Sequence, residues 1–230
     1  MSASTNINPD QCVWIATTTN NINKVQPVVR REFVDIPTWE LPEAELSKYK
    51  PLFDAVYNDW KRGDILTPEM VGEIWYYNSK ADYYTAPFIS GGGLPMVSEA
   101  AKRVLERYDL GTTVFHPITL MNSEETARTT SEPYYLLNVA NKRSMGNYDV
   151  LGPEGDNRAP LNNRHGIRFR PQSGQEAELV VIPEALGGPD IWLDPKVPEI
   201  LFLSDALVQG LKASAVDEGW GLVRCAVGTL

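Results

Sequence analysis

Cysteine and histidine are each used only twice in this chain of 230 residues. Cys12 and Cys225 stand near opposite ends, and no C-x-x-C spacing occurs. That excludes a disulfide framework and the common zinc sites. His116 and His165 are too few for a histidine-rich centre, so neither metal nor cofactor is expected. Both cysteines sit among apolar neighbours (CVWIA and VRCAV), where a buried, inert thiol is the simplest reading. Nowhere do eighteen apolar residues run together, so no membrane span is expected. The opening MSASTNINPDQ lacks the basic start and apolar core of a secretory signal. A soluble, cytoplasmic protein is the resulting expectation.

What is present is acid. The net charge is −9, unevenly spread. Residues 1–132 carry 18 acids and 12 bases, residues 133–170 carry 3 acids and 6 bases, and residues 171–230 carry 9 acids and 3 bases. An acidic field repels nucleic acid and draws basic partners over long range, although ordinary solubility accounts for moderate negative charge as well. The hydrophobic content of 43% is enough to fill a sizeable core.

Apolar periodicity sets out the elements. Residues 1–10 read as a polar lead and Cys12–Ala16 as a strand. In Pro51–Lys61, the residues Leu52, Phe53, Val56, Tyr57 and Trp60 recur at helical spacing, with Gly63 ending the helix. Ile74–Tyr77, Tyr83–Ile89, Val114–Leu120, Pro133–Val139, Glu178–Ile182, Asp190–Asp194 and Trp220–Val227 read as extended, with a hairpin joining 167–170 to 178–182. Asn141–Asn163 is rich in Gly, Asn and Pro and reads as the longest loop.

One pattern occurs twice. Ile200–Leu211 (ILFLSDALVQGL) and Leu94–Leu105 (LPMVSEAAKRVL) both run from an apolar strand through a serine and an acid into a helical pattern. Ser98 and Ser204 fit N-caps, and Glu99 and Asp205 suit the positive end of the helix dipole. Ala101, Val104, Leu105 and Tyr108 form one buried stripe, and Leu207, Val208, Leu211 and Ala215 the other. The expected class is α+β, a mixed or mostly antiparallel sheet with a few packed helices. Were the two strand–helix units a worn internal duplication, their strands should pair in one sheet, with both helices on one face of it. A single domain over 1–230 is expected, with 1–89 of uncertain relation to 90–228.

Catalytic constellations are hard to find. The glycine triplet Gly91–Gly93 precedes its strand instead of linking strand to helix, so it is a turn and not a phosphate cradle. Neither Ser98 nor Ser204 lies in a nucleophile elbow, and capping accounts for both. Glu176 and Glu178 share a strand face, which suits a solvated edge better than an acid–base pair. Arg158, Arg164, His165, Arg168 and Arg170, with Phe169 between them, form a basic cluster that suits an acidic interface or salt bridges better than nucleic acid. Trp192 and Trp220 suit interface anchors or, more commonly, core packing.

The stretches PYYLLNVANKRS at 133–144, DIWLDPKVPEILFLSDALVQGLKA at 190–213 and GWGLVRC at 219–225 resemble, in that order, the eleventh immunity-protein family of bacterial polymorphic toxin systems. Leu137, Asn138, Val139, Trp192, Asp194, Pro195, Phe202, Leu203, Ser204, Asp205 and Leu207 carry the resemblance, which spans residues 90–228. Two features depart from it: the basic stretch 141–146 replaces an acidic, apolar one, and the acidic first 85 residues have no counterpart. The resemblance implies a non-enzymatic protein that binds and neutralises a cognate toxin, a basic one by charge. Glu40, Glu43, Glu45, Glu176 and Glu178 are the candidate contact residues. No nucleic acid or membrane partner is expected, and the oligomeric state is open. The rival readings are a small carboxylate-based hydrolase or transferase and an adaptor of a secretion system.

Overall fold

The computed structural model describes residues 6–16, 28–30, 54–77, 85–91, 93–122, 124, 126–147, 177–197 and 199–229. Two six-stranded sheets form the frame, in an α+β arrangement. The first has the order β10-β11-β1-β12-β9-β8. Its strands are β1 (Asn6–Ala16), β8 (Gly146–Asn147), β9 (Ala177–Val181), β10 (Ile191–Leu193), β11 (Leu201–Ser204) and β12 (Leu222–Thr229). The second has the order β2-β3-β6-β7-β5-β4. It is built from β2 (Val28–Arg30), β3 (Ile74–Tyr77), β4 (Phe88–Gly91), β5 (Leu94–Ser98), β6 (Thr113–Met121) and β7 (Tyr134–Val139). Pairing is antiparallel except between β12 and β9 and between β3 and β6.

β1 starts earlier than its sequence suggests. Asn6–Asn8 pair with Val227–Thr229, so part of the expected polar lead is strand, and the register then jumps between Asn8 and Cys12. Ladder hydrogen bonds, not side-chain hydrophobicity, hold this end. Further along, Val13 and Ile15 face one core, and Ala16 faces the other. β10 and β11 alternate in step, with Trp192 and Phe202 in one core and Ile191, Leu193, Leu201 and Leu203 in the other. A sheet buried on both faces explains why these strands read as near-continuous apolar runs.

The second sheet curls. β6 pairs with β7 over Thr113–Ile118 and with β3 over Thr119–Met121, while the edge strands β2 and β4 approach one another. A Cβ on Gly91 would stand 2.4 Å from Met96 Cε and 3.3 Å from Trp75 Cζ3, so glycine is what lets β3 close on β4. The described part of the expected first helix, α1 (54–61), buries Val56 and Trp60, and Trp60 Nε1 donates to the Leu137 carbonyl at 3.3 Å. Gly63, at φ 66°, ends the element as expected. A short helix α2 (Pro68–Val71) follows, capped by Thr67.

Both serine caps form. Ser98 Oγ accepts from Ala101 N at 3.2 Å to start α3 (Glu99–Leu105), and Ser204 Oγ accepts from Leu207 N at 3.1 Å to start α4 (Asp205–Ala213). The stripes are as read except at their ends: Tyr108 lies beyond α3 and is half-buried, and the other exception is Ala215. That residue lies beyond α4 at φ 52° and is exposed, and Val216 is buried in its place. The single sheet required of a duplication does not form, because β5 and β11 belong to different sheets. The likeness is local: each unit is an antiparallel edge hairpin, β4–β5 or β10–β11, followed by a capped helix. The two helices meet each other, with Tyr108 against Gly210.

The described start of the expected loop, 141–145, is irregular but pinned by side chains, and Gly146–Asn147 form β8. Asn141 Nδ2 donates to the carbonyls of Leu110 at 2.7 Å and Ile191 at 2.9 Å, and its Oδ1 accepts from Thr112 N at 2.7 Å. The buried Asp194 carboxylate accepts the amides of Met145 at 2.9 Å, Gly146 at 3.3 Å and Lys196 at 2.9 Å. Those bonds satisfy a carboxylate that burial would otherwise penalise heavily. Residues 148–163, and the 167–170 arm of the expected hairpin, lie outside the described residues. β9 pairs with β8 and β12.

Candidate partner-binding surface

The acids read as contacts are only partly placed. Glu40, Glu43, Glu45 and Glu176 lie outside the described residues, as do Arg158, Arg164, His165, Arg168, Phe169 and Arg170. Glu178 lies in β9. Trp192 and Trp220 are fully buried, which makes them core residues. Both cysteines are buried and free. His116 is buried beside Asn138, and burial lowers its pKa while the Asn138 hydrogen bond acts the other way.

A ridge and a cleft meet where α3 crosses β6 and β7. Strand alternation puts Phe115 and Tyr135 on the α3 side, half-buried and edge to face with centroids 6.4 Å apart. Lys102 Nζ stands over both rings, 5.1 Å from the Tyr135 centroid and 5.4 Å from that of Phe115. It also pairs with Glu106 at 2.6 Å. The Tyr135 hydroxyl donates to Glu99 Oε2 at 2.6 Å, and Arg103 Nε donates to Oε1 at 2.8 Å. These bonds, Tyr135 first, hold the Glu99 carboxyl below the usual range.

Next to the ridge opens a cleft of about 330 Å3 whose lining includes Glu73, Pro117, Arg128, Thr130, Ser131 and Glu132. Its rim is ordered by its own side chains. Asn122 Oδ1 accepts from Thr126 N at 2.8 Å and Ala127 N at 3.1 Å, and Glu132 Oε1 accepts from Ala100 N at 3.1 Å at the start of α3. Exposed Pro117 lies between cleft and ridge. Partly exposed aromatics, fixed charges and a polar notch suit protein recognition better than bond chemistry. Sequence reading passed over this ridge, since a tyrosine in YYLLNV reads as core. Only the period of two, which sends Tyr134 inward and Tyr135 outward, could have pointed to it.

A second polar cluster sits at the start of α4. Asp205 Oδ1 accepts from Trp14 Nε1 at 2.8 Å, Gln209 Nε2 at 3.0 Å and Cys12 Sγ at 3.4 Å. Lys212 Nζ lies 4.0 Å from the centroid of Trp14. Burial pushes the Asp205 carboxyl up, and the bonds from Trp14, Gln209 and Cys12 outweigh it, leaving the pKa below the ordinary value. The same carboxylate contributes to raising the Cys12 thiol, behind the larger effect of burial.

The frame is thus two six-stranded sheets, with the serine-capped helices α3 and α4 packed against each other and a polar cleft beside the α3 ridge. The chain belongs to the immunity protein family Imm11, whose model matches residues 16–227. The match begins well before residue 90, so most of the N-terminal part has a counterpart in the family after all. No curated protein matches the chain. Its role is toxin immunity.

Proposed function

We propose that the protein binds a cognate bacterial toxin in the cytoplasm and blocks it without catalysing a reaction of its own. Membership of the immunity family carries this reading. The net charge of −9 adds the partner's character: a basic toxin, such as a nuclease, is steered toward an acidic protein and held by complementary charge. Occlusion of the toxin's active site or substrate path is enough for protection.

Co-expression with a candidate toxin from a neighbouring gene tests the reading. Survival and a complex on size exclusion are expected; killing without a complex would sink the idea. The acids Glu40, Glu43 and Glu45 are proposed to steer the encounter, together with Glu176 and Glu178. Replacing the first three with lysine should slow association and weaken its dependence on salt, with dissociation much less changed. An unchanged association rate removes that segment from the steering surface. Gene context separates the rival readings, because a carboxylate-based hydrolase or transferase belongs in a metabolic operon and an adaptor among secretion genes.

A further inference from the structure

Arg143 belongs to the basic stretch that departs from the family resemblance, and the immunity reading leaves it unused. Its backbone amide donates to the Leu193 carbonyl at 2.9 Å, fixing it against the outer edge of β10. The guanidinium lies over the Trp192 ring, with Cζ 4.8 Å from the centroid. Nη2 donates to the Glu184 carbonyl at 2.7 Å. Nη1 is buried and has no acceptor among the described residues. The indole Nε1–H of Trp192, on a side chain with 0% exposure, is in the same condition.

Two buried donors thus stand together, one of them cationic. No carboxylate pairs with Arg143 among the described residues, and burial alone lowers its pKa. Stacking on an aromatic face stabilises a guanidinium but provides no acceptor for its N–H groups. Leaving such donors unpaired is costly, and buried polar groups in folded proteins are met by a ligand, an ion or ordered water. Gly188 turns past this point at φ 79°, and a Cβ there would stand 3.3 Å from Arg143 Cζ. The Gly188 backbone therefore runs close beside the guanidinium, where any side chain would press on it.

We propose that Arg143 and Trp192 form a binding site for an oxyanion, a carboxylate or a phosphate, received by Nη1 of the guanidinium and the indole Nε1–H. The fork of a guanidinium suits either group. On a protein of net charge −9, a half-buried guanidinium with no carboxylate partner among the described residues is a local exception that selects one anionic group where the wider surface repels anions. The site stands whether or not the toxin reading holds.

The test follows the Trp192 indole resonance by NMR, assigned through Trp192→Phe. The full chain is titrated with inorganic phosphate and, separately, with acetate, against sodium chloride at matched ionic strength. A saturable shift of that resonance alone is expected, and it should be lost in Arg143→Met. A response to acetate identifies a carboxylate, such as a partner's side chain or C-terminus, and a response to phosphate identifies a phosphate group. No saturable shift with either, or an equal shift with chloride, overturns the site. Should Arg143→Met fail to fold, thermal unfolding of wild type and Trp192→Phe decides. Phosphate stabilises many proteins by exclusion from their surfaces, so only the difference between the two counts. A larger anion-dependent rise in the wild type is expected, and equal rises with both anions overturn the proposal.

Discussion

Ser98 leads α3 with an acid that stays at the surface, whereas Ser204 leads α4 with an acid drawn beside a tryptophan. Glu99 answers to Tyr135 and Arg103 on an open ridge. Asp205 gathers Trp14, Gln209 and Cys12. The caps differ too, because the Ser204 hydroxyl also bonds the Asp190 carboxylate. Even the edge strands are protected differently. β10 is covered by residues 141–143, while the β4 backbone is approached closely by Gly219. One local code, strand–serine–acid–helix, thus serves a surface in one sheet and a polar anchor in the other. What surrounds the motif, not the motif itself, sets the role of its acid.

The comparison can be broken most severely at β4. A Cβ on Gly219 would stand 2.0 Å from the Phe88 carbonyl oxygen, and the residue has φ 88°. Gly219→Ala should cost about 3 kcal/mol through overpacking and backbone strain, roughly 6–12 °C in thermal midpoint. Gly210→Ala meets Tyr108 Oη, Cζ and Cε2 at 2.0–2.9 Å, all on the outer edge of one side chain and none on backbone, and helix propensity offsets part of its cost. A smaller loss from Gly219→Ala than from Gly210→Ala would mean that β4 yields where the packing says it cannot.

Asp205→Ala should come next, at about 1–2 kcal/mol, because it strands the Trp14 indole N–H. Denaturant unfolding measures it. The serine caps rank below. Ser98→Ala and Ser204→Ala should each cost about 1 kcal/mol, with Ser204 the more costly because Asp190 also loses a donor. Equal losses would show that the Asp190 bond adds nothing.

Acid separates the two regions by pH. The folded pKa of His116 lies below its unfolded value of about 6.5, so the unfolded chain takes the proton first. Stability from His116 is therefore full above that pH and lost as pH falls toward the folded pKa. For Asp205, also lowered, the contribution is full above the unfolded value of about 3.9 and lost as pH falls through the folded pKa. Stability measured against pH should show the first slope flattened in His116→Gln and the second in Asp205→Ala. Least of all, Glu99→Gln should leave thermal stability nearly unchanged, since its Arg103 pair is exposed and the glutamine oxygen still accepts from Tyr135. If the ridge is a contact, that variant weakens toxin binding without unfolding the protein.

Much of the frame was legible in the residues. The two caps, the helix stripes through Leu105 and Leu211, and strands such as IWYY and YYLLNV follow from periods of 3.6 and 2 and from local hydrogen bonding by serine. These are short-range effects, and a short-range reading captures them. Asn6–Asn8 was missed because polar residues join a strand there only through pairing with a segment more than two hundred positions away. The anchoring of Asn141–Gly146 was missed for a similar reason, since Asp194 and β10 supply its partners.

By itself the sequence determined the class, the capped units, the acidity and the family resemblance, because each rests on composition or on residues a few positions apart. Only the tertiary structure decided that the two units enter different sheets, and that Tyr135 and Lys102 build a ridge while Trp14 and Asp205 build an anchor. It also brought Arg143 over Trp192. Those outcomes depend on which distant strands pair and which faces are then covered, and no local pattern carries that information.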